Sequence, residues 1–111
     1  MEYKKGDIVI IDFPFSDLTR VKKRPAIVIS NDKVNKTGDI LLVQIPSKYK
    51  SDGLSYTIQE DDFRLKKLPL ESYIRLHKLF LLKSDLVLYK FSELKAKPLQ
   101  EVIENIIRLM K

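Results

Sequence analysis

Four residues of this chain have types suited to chemistry on a phosphate: Arg24, Ser47, Arg75 and His77. Arg24 precedes Pro25, and a residue before proline is pushed towards extended geometry, so its guanidinium is expected at the entrance to a strand. An anchored, permanently charged guanidinium suits a developing phosphorane charge better than a floppy lysine does. The surrounding stretch PFSDLTRVKKR (14–24) sets Arg20, Lys22, Lys23 and Arg24 against the single Asp17. Such a cluster can steer and grip phosphates, although a solvated loop explains the same composition. Read as a connection between strands, its eleven residues are long, and unusually long loops tend to be functional or disordered.

Ser47 lies in IPSKYKSDG (45–53), with Lys48 and Lys50 nearby and Tyr49 available to stack on a base. Pro46 should end regular pairing there, and a serine in such a place is usually only a turn residue. The stretch SYIRLHKLF (72–80) holds the one histidine of the chain. On a continuous strand Arg75 and His77 would share a face about 6–7 Å apart, close enough to hold one phosphate between them. Histidine as a residue type can give or take a proton near neutral pH. From spacing alone, an ordinary exposed strand face remains the commoner explanation.

Other chemistries find little support. There is no Gly-rich phosphate loop, HExxH, CxxC or GxSxG. Without cysteine there is no disulfide framework or thiolate metal site, which leaves the redox compartment open. One histidine argues against a His-based metal centre, and Glu60, Asp61 and Asp62 read as surface. No metal and no cofactor is implied. The net charge of +6 favours an anionic partner: nucleic acid, an acidic protein or a membrane surface. A lysine-rich surface kept for solubility explains the charge equally well. The apolar stretches are interrupted every few residues by charge, so none is expected to span a membrane. The N-terminus lacks a signal-peptide pattern, which makes the cytoplasm the default location.

The elements that must position these residues are mostly strands. Signals fall at 7–13 (DIVIIDF), 25–30 (PAIVIS), 39–45 (DILLVQI), 55–59 (SYTIQ), 73–82 (YIRLHKLFLL) and 86–91 (LVLYKF). The run VIIDF does not strictly alternate, as expected for a strand buried on both faces or bending round a small barrel. One helix is expected at the C-terminus. Leu99, Val102, Ile103, Ile106, Ile107 and Met110 recur at helical spacing, with Pro98 placed as the first helical residue. Glu104 and Arg108 are spaced to pair along it. The pattern predicts a mainly β fold, a small antiparallel β-barrel with a C-terminal α-helix as its lid, as one domain over 1–111.

Three stretches in order resemble the MazF/PemK toxin family: GDIVIIDFPFSDLTRVKKRPAIVIS (6–30), ILLVQIPSK (40–48) and LPLESYIRLHKLFLLKSDLV (68–87). The resemblance implies an SH3-like barrel, usually a homodimer, that cleaves single-stranded RNA without a metal. The ribose 2′-OH would attack the adjacent phosphate, leaving a cyclic phosphate and a 5′-hydroxyl. Arg24 matches the family arginine before the conserved proline, and Arg75 matches a second arginine seen in the PemK branch. Two positions depart from the pattern. Pro46 stands where the family has threonine, leaving Ser47 as the nearest hydroxyl, and His77 stands where that branch has aspartate.

The resemblance therefore implies Arg24, Ser47, Arg75 and His77 as catalytic candidates. Phe15, Asp17, Arg20, Lys22, Lys23, Lys48 and Tyr49 would line the RNA path. It further implies an acidic antitoxin partner, with DNA contacted through the antitoxin complex. Two alternatives stay open: a non-catalytic toxin of the same fold that poisons a topoisomerase, as CcdB-type proteins do, and a barrel module that only binds RNA or protein.

Overall fold

Both the continuous and the alternating apolar runs become strands in the computed structural model, which describes residues 2–14 and 21–111. In chain order the elements are β1 (Asp7–Pro14), β2 (Val21–Val28), α1 (Asp32–Asn35), β3 (Asp39–Gln44), β4 (Ser55–Ile58), β5 (Ser72–Arg75), β6 (Leu79–Lys83), β7 (Val87–Glu93) and α2 (Ala96–Arg108). Five strands form an antiparallel sheet in the order β6-β3-β2-β1-β7, and β4 pairs with β5 in a second sheet. The architecture is mainly β with a C-terminal helix. It is not a closed ring of hydrogen bonds, because β6 and β7 form the two edges of the larger sheet.

The non-alternating run of β1 follows from burial on both faces. Ile8, Val9, Ile10 and Ile11 are all buried. Ile8 and Ile27 face each other across β1 and β2 and join Val43, Ile58, Ile74, Val102 and Ile106 in one core cluster. That cluster sits where the large sheet, the small sheet and α2 meet. The opposite parity, Val9, Ile11, Ala26, Val28, Ile40 and Leu42, builds a second cluster with Tyr3 and Val87. Covering both faces of a strand favours a run with no polar alternation.

Four expectations are corrected. The run 73–82 is not one strand: β5 stops at Arg75, and the Lys78 N–H closes a turn on the Arg75 carbonyl at 2.9 Å. Continued alternation would have driven Lys78 onto the apolar face of Ile74 and Leu76; the turn leaves it exposed. β2 begins at Val21, so Lys22, Lys23 and Arg24 belong to a strand rather than to an eleven-residue connection. The C-terminal helix starts at Ala96, which makes Pro98 its third residue. Proline is tolerated there because N–H groups of the first turn have no intrahelical acceptor. Finally, Arg108 donates to Asn105 at 2.6 Å, and it is Gln100 that reaches Glu104.

Candidate active site

The site opens where β2 and β3 part company. Their register pairs only Ala26, Ile27 and Val28 of β2 with Gln44, Val43 and Leu42 of β3. Pro25, next in line, has no N–H to donate, and its carbonyl takes the Ile45 N–H at 3.2 Å as the last contact. Pro46 then ends the strand on the other side. The first half of β2 is therefore laddered to β1 alone, and a cleft of about 370 Å³ lies beside it.

Alternation along β2 places Lys22 and Arg24 on the same face as buried Ala26 and Val28, so one face runs from core into cleft. The walls are Lys22 and Arg24 from β2, Gln44 from β3, Pro46, Ser47, Lys48 and Lys50 from the following loop, and Arg75 and Lys78 at the end of β5. Six of these nine residues are cations, and none is an acid. Low-dielectric walls of one sign focus the field on an incoming anion.

Arg75 differs from the lysines. Its side chain is only 7% exposed, and its guanidinium makes a two-bond fork to Asp52, Nη1 to Oδ1 at 3.0 Å and Nη2 to Oδ2 at 2.9 Å. Nη1 also donates to Ser55 Oγ at 2.8 Å, the residue opposite Arg75 in the β4–β5 register. Asp52 Oδ1 accepts the Leu54 N–H at 3.0 Å across a turn in which Gly53 takes φ +80°, a left-handed conformation that suits glycine. The Arg75 bond, followed by the Leu54 N–H, holds the Asp52 carboxyl well below the usual carboxylate range.

Two further cavities adjoin the cleft. One of about 290 Å³ shares Lys22, Arg24 and Ser47 with it and continues over Ile10, Pro25, Tyr89 and Phe91. The other, about 500 Å³, shares Leu68, Pro69, Leu70 and Ser72 with the second and ends at Tyr49, Phe63 and Tyr73. Tyr49 and Tyr73 meet edge to face with centroids 5.4 Å apart. A cationic cleft thus runs through a mixed cavity into an aromatic one.

The structure brings Arg24, Ser47 and Arg75 together in the cleft, with Lys22 and Lys48 beside them. Lys23 lines the middle cavity and Tyr49 the aromatic one, rather than the cationic cleft. His77 does not join them. The strand ends before it, so it shares no strand face with Arg75; it sits exposed in the turn and is not part of the cleft wall. Phe15, Asp17 and Arg20 lie outside the described residues.

Lys78, Lys50, Gln44 and Asp52 complete the surroundings, though their types alone did not mark them as site residues. Lys78 had a signal, since a lone lysine interrupting an apolar alternation marks a break in the strand. Asp52 had only the turn pair Asp-Gly, which says nothing of an arginine 23 residues away in sequence.

A family model described as "PemK-like, MazF-like toxin of type II toxin-antitoxin system" matches residues 4–110. No curated protein matches the sequence. Among solved structures, the chain is similar to MazE-MazF (Form-III) from Deinococcus radiodurans, with 20% identity, 99% of this chain and 97% of that one covered, and a TM-score of 0.79. It is similar to an endoribonuclease from a mycobacterial species, with 14% identity, 99% and 92% covered, and a TM-score of 0.78. A mycobacterial endoribonuclease in complex with its cognate antitoxin follows, with 16% identity, 97% and 91% covered, and a TM-score of 0.72.

Proposed function

This chain belongs to the PemK-like, MazF-like toxins of type II toxin–antitoxin systems, and we propose that it is an endoribonuclease cleaving single-stranded RNA without a metal. The observation that carries the reading is the cleft around Ser47, six of whose nine lining residues are cations, with two arginines supplied by strands. In this reading the ribose 2′-oxygen forms a bond to phosphorus, the bond from phosphorus to the 5′-oxygen breaks, and a cyclic phosphate remains. The 2′-hydroxyl loses its proton and the 5′-oxygen gains one. Arg24 and Arg75 stabilise the charge that builds on the phosphorane oxygens, and Ser47 hydrogen-bonds the phosphate. Unstacked bases leave the cleft towards Tyr49 and Tyr73, where aromatic faces take them sequence-tolerantly.

An acidic antitoxin segment is the partner that this cationic surface fits, and DNA would be contacted through the antitoxin complex. Exposed Leu81, Leu86, Leu88 and Tyr89, on or beside the edge strands, support a homodimer. The test is purified protein with single-stranded RNA of varied sequence in EDTA. Cleavage to cyclic phosphate ends, abolished in Arg24→Ala/Arg75→Ala, is the expected result. No cleavage of any sequence, or full activity in the double variant, refutes the reading.

Pro46 in the family's threonine place and His77 outside the cleft favour a second reading, a non-catalytic toxin of the CcdB type acting on a topoisomerase. It predicts growth inhibition that survives Arg24→Ala and leaves cellular RNA intact.

A further inference from the structure

We propose that Asp52 is a positioning residue that clasps the Arg75 guanidinium and so fixes both that cation and the 46–53 loop in the cleft wall. The inference rests on reading the cleft as the phosphate site of an RNA-cleaving enzyme. Asp52 is not itself a cleft residue, so its carboxylate acts through Arg75.

The geometry separates the two edges of the guanidinium. Asp52 occupies the fork made by Nη1 and Nη2, and Ser55 takes the second Nη1 proton. Three of the five guanidinium N–H groups are thereby used. The remaining two, Nε–H and one Nη2–H, form the other parallel fork, which matches two oxygens of a phosphate. Arg75 can thus hold Asp52 with one edge and offer a second bidentate edge, already oriented, to an anion.

The same carboxylate organises the loop. Asp52 accepts the Leu54 N–H, and Ser55, which receives Arg75, also receives the Lys50 N–H at 3.4 Å. Ser47, Lys48 and Lys50 project into the cleft from the segment that this clasp closes. Without it the guanidinium has lost its fork partner while its side chain stays in a nearly solvent-free place, and the loop keeps its Ser55, Pro46 and Tyr49 contacts but loses its tie to Arg75.

The test compares Asp52→Asn, Asp52→Ala and Asp52→Glu with the wild type in cleavage kinetics and in ¹⁵N NMR of the Arg75 side chain. In the wild type the clasp should slow guanidinium rotation and give resolved Nη signals. These should average in Asp52→Ala and Asp52→Asn and return in Asp52→Glu. The kcat of Asp52→Ala should fall about a hundredfold, the scale for misplacing a reacting group by an ångström. Its KM should stay level or fall, because the cleft gains a net positive charge. Loss of folded protein would lower kcat without averaging Arg75 in the molecules that remain folded, and that pattern overturns the proposal. So does a wild-type kcat in Asp52→Ala, or averaged Nη signals in the wild type. If the wild type cleaves no RNA, the functional reading falls, and the Arg75 spectra alone decide whether the clasp exists.

Discussion

Replacing Lys48 and Lys50 together by alanine isolates the electrostatic share of substrate binding. Both side chains are exposed and stand on the 46–53 loop, so their loss should change stability by no more than about 0.5 kcal/mol each. Six cations line the cleft, and setting aside Arg75, which is clasped by Asp52, five others face it. On single strands each phosphate neutralised contributes about −0.7 to the slope of log affinity against log salt, so five give about −3.5 and three about −2.1. Between about 50 and 200 mM salt the wild type should then lose affinity about a hundredfold and the double variant about twentyfold. Fluorescence anisotropy with a 2′-O-methyl oligonucleotide, which cannot attack its own phosphate, reads both slopes without cleavage. Equal slopes in the two proteins would show that these lysines face no phosphate. A slope near zero in the wild type would remove the cleft from nucleic-acid binding altogether.

Two other outcomes follow from packing and titration. Ile74→Ala empties a fully buried site in the cluster that joins β5 to the large sheet and α2; it should cost about 2–5 kcal/mol, read as a lower urea midpoint at an unchanged m-value. Tyr56 is raised above the ordinary phenol range by burial first and by its hydrogen bond to Glu101 second. The folded state therefore binds the phenolic proton more tightly than the unfolded chain, so this contribution to stability is full below a pH of about 10 and is lost as pH rises further. Urea midpoints of wild type and Tyr56→Phe should accordingly converge on going from about pH 8 to about pH 11.

The strands were readable wherever burial alone dictates the residue type. DIVIIDF could be placed within a residue because both of its faces are covered, and the apolar stripe of α2 because the helix has one wet side. The stretch 73–82 misled because period-two alternation is a local signal. The break at Leu76 and His77 depends on Gln44 and Leu54, whose backbone groups bond to Lys78 and Leu76 from other parts of the chain. Arg24 was legible through its proline neighbour, whose missing N–H also helps to open the cleft. Asp52 was not, since the pairing of a turn aspartate with a distant arginine is decided by the register of β4 against β5. His77 drew attention by rarity, and rarity carries no position.

The cleft is assembled from two kinds of backbone. Lys22, Arg24, Gln44 and Arg75 stand on laddered strands, while Ser47, Lys48 and Lys50 stand on an exposed loop. Substitution at the exposed loop positions perturbs folding little, whereas the laddered positions are tied to the register of the core. On the proposed reading, the loop's share of the grip on phosphate can therefore drift one residue at a time, while the share that Arg24 and Arg75 supply is inherited with the fold.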